Sequence, residues 1–178
     1  MNHFRRVLPA LLSLAIGAAA SAAPQKKDAA QPAPSPVSGT KAEAPPIFDP
    51  EADGELALKA RWEMCAKSNR RLIVVFGTND CEACRTVNQG IYEKRFYDEL
   101  IKQFLPEFID VAPGTSNAEI PARYGIDPKA PLPGIIIFDP QRRVTEVLAK
   151  GEMADVARKG KEAVQLWILD RFDRSKPY

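Results

Sequence analysis

The feature that most constrains the fold of this chain is an apolar run followed at once by two cysteines, in the stretch RLIVVFGTNDCEACRT (residues 71–86). The nearly continuous β-branched and aromatic residues that open this stretch are typical of a β-strand covered on both faces. Asn79 or Asp80 can cap a helix that begins at the cysteines. Cys81 and Cys84 are therefore predicted to stand at the N-terminus of a helix that follows a buried strand.

The chain on either side of this stretch alternates between helical and extended patterns. The patterns predict four helices, over residues 51–69, 81–104, 116–124 and 153–168, and the second of these is expected to be interrupted near Gly90. They predict strands over residues 71–77 and 104–112 and a β-hairpin within residues 131–149. A β-α-β unit followed by an antiparallel hairpin predicts an α/β fold, with a mixed central β-sheet flanked by helices.

The N-terminal part of the chain is not expected to belong to the folded domain. A short basic opening, an apolar run over residues 7–20 and a small-x-small sequence predict a signal peptide over residues 1–22, cleaved after Ala22. Half of residues 23–46 are alanine or proline, which is typical of a disordered, extended linker. Residues 47–178 have the length of one ordinary domain.

Export changes the charge of the chain and the chemistry that is open to it. Loss of Arg5 and Arg6 leaves 23 of the 25 basic residues, which equals the 23 acidic residues. Balanced charge gives no reason to expect nucleic acid or an anionic membrane surface as a partner, and no stable membrane insertion is expected after cleavage. His3, the only histidine, is lost as well, which excludes Ser-His-Asp and Cys-His mechanisms.

The spacing of the cysteine pair is compatible with several uses, and three of them fit the chain poorly. Structural zinc needs four ligands, whereas the mature chain offers three cysteines and no histidine. Haem attachment would need a histidine after Cys84, where Arg85 stands. A purely structural disulfide would close a loop too short to constrain the unfolded chain much. No resident metal and no cofactor is therefore expected.

A redox role fits the predicted position of the pair at a helix start. A cysteine there faces unpaired backbone N–H groups and the positive end of the helix dipole, which favour thiolate over thiol. Cys81 is therefore predicted to attack a partner's disulfide. Cys84, one turn further into the helix, is predicted to resolve the mixed disulfide, so that the pair alternates between a dithiol and a Cys81–Cys84 disulfide.

Two other interpretations of the pair remain open. The two thiolates could bind Cu(I), with Met64 as the only further soft ligand near Cys65. The domain could also serve for protein–protein contact alone, with its cysteines permanently oxidised. Cys65 itself shares an apolar helix face with Leu58 and Trp62, which predicts a buried thiol that packs as a small hydrophobe.

Three segments of the chain together resemble the thioredoxin superfamily: LIVVFGTNDCEACRTV, RYGIDPKAPLPGIIIFDPQRRV and the closing helix. The resemblance is strongest to its exported thioredoxin-like proteins and to the thioredoxin-like domains of bacterial thiol:disulfide interchange proteins, and it spans roughly residues 56–172. It implies the thioredoxin fold and a cis peptide bond before Pro133. It also implies that an extended substrate segment binds at Leu132 and Pro133.

The chain departs from the pattern of that family around the cysteines. The usual tryptophan before the first cysteine is Asp80, and the usual Gly-Pro between the cysteines is Glu82-Ala83. By alignment, the buried acidic residue of the preceding strand is Val75, which cannot accept a proton. Asp80 and Glu82 add negative charge close to Cys81, so they are expected to tune its pKa against the helix dipole.

The residues and the resemblance together predict a periplasmic, monomeric thiol-disulfide oxidoreductase. Its expected partners are the thiols and disulfides of other exported proteins, with a membrane thiol reductase restoring the dithiol. The sequence leaves open whether the pair acts as a reductant or as an oxidant.

Overall fold

The computed structural model describes residues 46–172, so the predicted signal peptide and all of the predicted linker except Pro46 lie outside the described residues. In chain order the elements are α1 (Gly54–Ser68), β1 (Arg71–Gly77), α2 (Glu82–Ile91), α3 (Lys94–Leu100), β2 (Phe104–Asp110), a 3₁₀ helix (Pro121–Tyr124), β3 (Gly134–Phe138), β4 (Val144–Leu148), α4 (Glu152–Ala157) and α5 (Lys161–Leu169). Within residues 46–172, no helix is long and apolar enough to cross a membrane.

The four strands form one mixed sheet in the order β2-β1-β3-β4. β1 pairs in parallel with β2, to which it is connected through α2 and α3, and antiparallel with β3, which leads through a hairpin into β4. The predicted β-α-β unit, hairpin and mixed sheet are confirmed. Every residue of β1 after Arg71 is buried, which agrees with the continuous apolar run, because both faces of the strand are covered.

The alternation of side chains along β1 divides the interior into two apolar cores. Ile73 and Val75 point to one face, where they pack with Cys84 and with apolar residues of α2 to α5; we call this the cysteine-side core. Leu72 and Val74 point to the other face, where they pack with α1 and with residues that flank the 3₁₀ helix; we call this the opposite core.

The helix that follows the cysteines is interrupted near Gly90, as predicted, and the final helix is interrupted where no break was predicted. The helix predicted to follow the cysteines ends at Ile91, and α3 begins after Glu93, whose carboxylate accepts a hydrogen bond from the N–H of Phe96 at 3.0 Å. The predicted final helix is divided into α4 and α5 at Gly160, whose φ of 102° is outside the helical range. Local caps and one glycine therefore set these breaks.

The prediction of a helix over residues 116–124 is wrong for the first half of that range. Instead of capping a helix of its own, the buried side chain of Asn117 bonds to the backbone at the start of α1. It accepts a hydrogen bond from the N–H of Gly54 at 2.8 Å and donates one to the carbonyl of Ala52 at 2.9 Å. Only the last residues form a 3₁₀ turn, which ends at Gly125 in the left-handed conformation (φ 80°), as predicted. The same contacts help to start α1 at Gly54, a few residues later than predicted.

Candidate active site

The two cysteines lie at the junction of β1 and α2, as predicted, and are joined by a disulfide bond. Cys81 is the N-cap residue of α2, and Cys84 lies in the first turn, with 5.2 Å between the two Cα atoms. The prediction that Asn79 or Asp80 caps this helix is wrong. The sulfur of Cys81 takes that position and accepts a hydrogen bond from the N–H of Cys84 at 3.1 Å.

The two cysteine side chains differ in their access to solvent. Cys84 is fully buried in the cysteine-side core, whereas Cys81 is half-buried at the edge of that core. A partner from solution therefore meets Cys81 first. The N–H groups of the first turn of α2 would also stabilise negative charge on the Cys81 sulfur once the disulfide is reduced.

Gly77, the last residue of β1, makes room for the buried sulfur. A Cβ atom at this position would lie 2.7 Å from the Sγ of Cys84 and 2.5 Å from the Cζ of Phe48. Both distances are too short for any side chain. Because Gly77 has no side chain, the Cys84 sulfur and the Phe48 ring can pack directly against the backbone of β1.

Asn79 fastens the segment before α1 to the loop that carries the cysteines. Its side-chain oxygen accepts hydrogen bonds from the N–H groups of Ile47 and Phe48, at 2.8 and 3.0 Å, and its amide nitrogen donates to the Phe48 carbonyl at 2.8 Å. The Phe48 ring is fully buried in the cysteine-side core. Sequence analysis missed this role, because its only signal was a capping residue.

The charged residues next to the cysteines are arranged around the same loop. The hydroxyl of Thr78 donates a hydrogen bond to the carboxylate of Asp80, and the guanidinium of Arg85 donates to the Asn79 carbonyl at 2.8 Å. The side chains of Asp80 and Glu82 are exposed. Their predicted effect on the pKa of Cys81 stays a prediction.

The peptide bond between Leu132 and Pro133 is cis, as the resemblance implies. Phe76 pairs with Gly134 across β1 and β3, so Pro133 lies beside Gly77, over which the Cys84 sulfur packs. Leu132 is half-buried against the cysteine-side core. The two residues are thus brought to the cysteine pair, and their predicted substrate-binding role stays a prediction.

A buried carboxylate lies one strand away from the position that the alignment assigns to an acidic residue. Val75 at that position is fully buried. Asp110 ends β2 opposite Gly77 in the parallel register and is 3% exposed, and its carboxylate accepts a hydrogen bond from the N–H of Ala112 at 2.8 Å. Its position at the end of a strand carried no sequence signal for this placement.

The third cysteine belongs to the opposite core and not to this site. Cys65 is 1% exposed, as predicted for a buried thiol, and burial raises its pKa to about 11 in spite of the nearby Arg70 and Arg61. Met64 on the same helix is exposed. The sheet separates this part of α1 from the Cys81 pair, so Met64 does not add a soft ligand to the two thiolates of the Cu(I) interpretation. Among residues 46–172, no cluster of three or more His, Cys, Asp or Glu side chains could hold a metal ion.

Three further aromatic side chains have packing roles. The rings of Trp62 and Tyr124 contact Phe138 edge-on, with centroids 5.7 and 5.4 Å from it. The guanidinium of Arg171 lies 3.6 Å above the ring of Trp167.

A mixed four-stranded sheet, a disulfide at the start of the helix after β1 and a cis-proline before β3 together define a thioredoxin fold. A disulphide isomerase from Xylella fastidiosa Temecula1 has a solved structure that matches with a TM-score of 0.65 and 23% sequence identity, over 72% of this chain and 98% of that chain. The C-terminal domain of Neisseria meningitidis DsbD in the oxidised form matches with a TM-score of 0.45 and 18% identity, over 67% of this chain and 97% of that chain. No protein-family model and no curated protein matches the chain.

Proposed function

We propose that this chain is a thiol-disulfide oxidoreductase that exchanges disulfides with exported proteins through Cys81 and Cys84. One observation carries the proposal: the half-buried sulfur that caps α2 is bonded to a fully buried sulfur one turn further on. Two-step thiol exchange requires an accessible sulfur that is stabilised as an anion and a second sulfur that can displace whatever the first one captures. The shared fold with a disulphide isomerase adds support.

The chemistry conserves electrons and protons in a simple way. In the reducing direction, the Cys81 thiolate attacks one sulfur of the partner's disulfide, and the other partner sulfur leaves as a thiolate and takes up a proton. Cys84 then loses its proton and attacks the Cys81 sulfur, which releases the second partner sulfur as a thiolate that is protonated in turn. Two electrons pass from the dithiol to the partner, and the Cys81–Cys84 disulfide remains. The oxidising direction reverses these steps.

The partner's segment would bind in extended form along the backbone at Leu132, next to Pro133, as a short strand addition. The strand register supports this place, because it sets the cis-proline beside Gly77 and hence beside the cysteine pair. The side chain of Leu132 packs on the same core as Cys81, so a segment lying there would reach the nucleophile.

The periplasm is the compartment that suits this chemistry, given the signal peptide predicted over residues 1–22. The protein would act there as a monomer, and a membrane thiol reductase would restore its dithiol. A measured reduction potential would give the direction: a value of about −270 mV suits a reductant, and one of about −120 mV suits an oxidant.

Replacement of the resolving cysteine tests the proposed function. In a Cys65→Ala background, the Cys84→Ala variant should accumulate mixed disulfides between Cys81 and exported proteins, because the captured partner can no longer be displaced. Non-reducing gels and mass spectrometry of the purified adducts, which a thiol reductant should release, would identify those partners.

The matched control is the variant that also carries Cys81→Ala, which should trap nothing. If the Cys84→Ala variant collects no partner in cells, and the wild-type dithiol also leaves insulin disulfides intact, the domain is not a disulfide exchanger. The interpretation as a contact module with a permanent disulfide would then replace it.

A further inference from the structure

A cavity of about 300 Å³ is lined by Phe76 near the carboxyl end of β1 and by Leu132 before the cis-proline, and neither Cys81 nor Cys84 lines it. Phe76, Ile126 and Val111 form apolar walls that belong to the opposite core or pack against it. Leu132 lines the cavity and also packs against the cysteine-side core that holds Cys84, so it lies between the cavity and that core. We call this space the Leu132 cavity. Its volume is at the lower end of the range for ligand pockets, about 300–1,000 Å³.

The rim of the Leu132 cavity carries acidic side chains and no basic ones. Glu119 and Asp127 both line it and are both exposed. Within the described part of the chain, neither carboxylate takes part in an ion pair. Asp127 accepts a hydrogen bond from the backbone N–H of Lys129 at 2.8 Å, and the nearby Arg123 is paired with Glu55. The rim is therefore negative and open to a cation from a partner.

We propose that the Leu132 cavity selects the partner protein, by taking an apolar side chain of an extended segment whose neighbouring Lys or Arg pairs with Glu119 or Asp127. The inference rests on the proposed function, because the partner's disulfide must reach Cys81 while the segment occupies the cavity. The substrates expected for this chain are thus exported proteins whose disulfide is flanked by apolar and basic residues.

The dimensions of an extended segment agree with this arrangement. Such a segment advances about 3.3 Å per residue, so a side chain two or three residues from the partner's cysteine lies about 7–10 Å along it. Leu132 both touches the core at the cysteines and lines the cavity, so one segment can engage both places. Exposed ion pairs are individually weak, so the two carboxylates favour one class of segment without binding it tightly.

Matched peptides test the charge preference. Each peptide carries the same disulfide and, as the apolar residue for the cavity, a leucine two residues from one cysteine. The peptides differ only in the residue beside the leucine, which is Lys, Gln or Glu. We expect the wild-type dithiol to reduce the Lys peptide about 3- to 10-fold faster than the Glu peptide. The preference should vanish in about 1 M salt, where the Debye length is about 3 Å.

Variants of the rim and of the cavity assign the preference to this site. The double variant Glu119→Gln/Asp127→Asn should reduce the Lys and Glu peptides at nearly equal rates. A further peptide carries alanine in place of the leucine, and the wild-type dithiol should reduce it more slowly than the leucine peptide. The Ala118→Leu variant, whose larger side chain fills the cavity, should reduce these two peptides at equal rates. Glu162→Gln, an exposed charge on the other face of the sheet, is the control and should keep both preferences.

A binding experiment separates this inference from the proposed function. The oxidised protein is titrated with a Lys peptide whose cysteines are serine, and backbone amide shifts are expected at Gly114, Ala118 and Ile126. Equal rates for the Lys and Glu peptides, or a preference that survives in the double variant, would overturn the inference while leaving disulfide exchange intact. Failure to reduce any disulfide would overturn the proposed function, and the shifts, or their absence, would still decide whether the cavity binds the segment.

Discussion

At the scale of single residues, the sulfur atoms of the three cysteines lie in three different surroundings. Cys81 is half-buried at a helix N-terminus, and Cys84 is buried above the bare backbone of Gly77. Cys65 is buried on the other face of the sheet, where neither of the other two can reach it. Reactivity therefore follows from position, because the thiolate is the reactive form and only Cys81 is placed to be both anionic and accessible.

The pKa of Cys65 leads to a prediction about stability at alkaline pH. Burial raises this pKa from 9.0 to about 11, so the folded state holds the thiol proton more tightly than the unfolded state. The resulting stabilisation is complete below pH 9 and is lost as the pH rises towards about 11. The difference in unfolding free energy between the wild type and Cys65→Ala should shrink by about 2 kcal/mol over this range.

Urea unfolding at a series of pH values measures this difference. Both proteins should carry Cys81→Ser and Cys84→Ser, so that the Cys65 thiolate has no disulfide to attack in the unfolded chain. A difference that stays constant between pH 9 and about 11 would contradict a buried, protonated Cys65.

At the scale of elements, the position of α2 depends on contacts at both of its ends. Asn79 holds the loop before the helix to the Phe48 segment through three hydrogen bonds. Gly90, where the sequence predicts an interruption, lies within α2 and allows α5 to approach. A Cβ atom there would lie 3.1 Å from the Lys161 carbonyl oxygen and 3.3 Å from the Cβ of Val164. The glycine is thus needed for close helix packing, and the interruption predicted near it occurs just after it, between Ile91 and Lys94.

Removal of the Asn79 side chain should destabilise the oxidised protein. Asn79→Ala leaves two N–H groups and one carbonyl of residues 47 and 48 without their partner, so we expect a loss of about 1–3 kcal/mol in urea unfolding. Asn79→Asp keeps the acceptor for both N–H groups and should lose less. Gln89→Ala, an exposed position on α2, is the control and should change stability by less than about 0.5 kcal/mol. Equal unfolding midpoints for Asn79→Ala and Gln89→Ala would show that the anchor contributes nothing.

At the scale of the whole molecule, one sheet supports two cores that meet different requirements. The cysteine-side core holds the disulfide and the helices that position it, and the opposite core holds α1 and the walls of the Leu132 cavity. The carboxyl end of β1 belongs to both, because Phe76 lines the cavity while Gly77 lies under Cys84. Exchange chemistry and partner selection would therefore meet at the same edge of the sheet.

The predicted division of the chain can be tested by limited proteolysis of the exported protein. The linker predicted over residues 23–46 should be cut first, because its composition cannot bury enough apolar surface to order it. The remaining fragment should begin near residue 47 and resist further digestion, as intact-mass measurement would show. First cuts between residues 47 and 172 would contradict the division. The same measurement on undigested protein should find an N-terminus at Ala23.

Sequence reasoning succeeded for features that depend on neighbouring residues. The continuous apolar run after Arg71 predicted a buried central strand, and the helical pattern that follows it predicted that the cysteine pair stands at a helix start; both are confirmed, although Cys81 and not Asn79 or Asp80 is the cap. The cis bond before Pro133 came from the resemblance and is confirmed as well. The signal peptide, the linker and the substrate-binding role of Leu132 stay predictions.

The features that sequence reasoning missed depend on residues far apart in the chain. Asn79 bonds to Phe48, 31 positions away, and Asn117 to Gly54, 63 positions away, although each has the local signature of a helix cap. The walls of the Leu132 cavity likewise come from separate strands and loops. The sequence by itself determined the strand, the helix start and the cysteine pair, because spacing and periodicity act over a few residues. Only the tertiary structure decided which polar side chain satisfies which distant backbone group and where the cavity opens, because those contacts exist only once the sheet has brought the segments together.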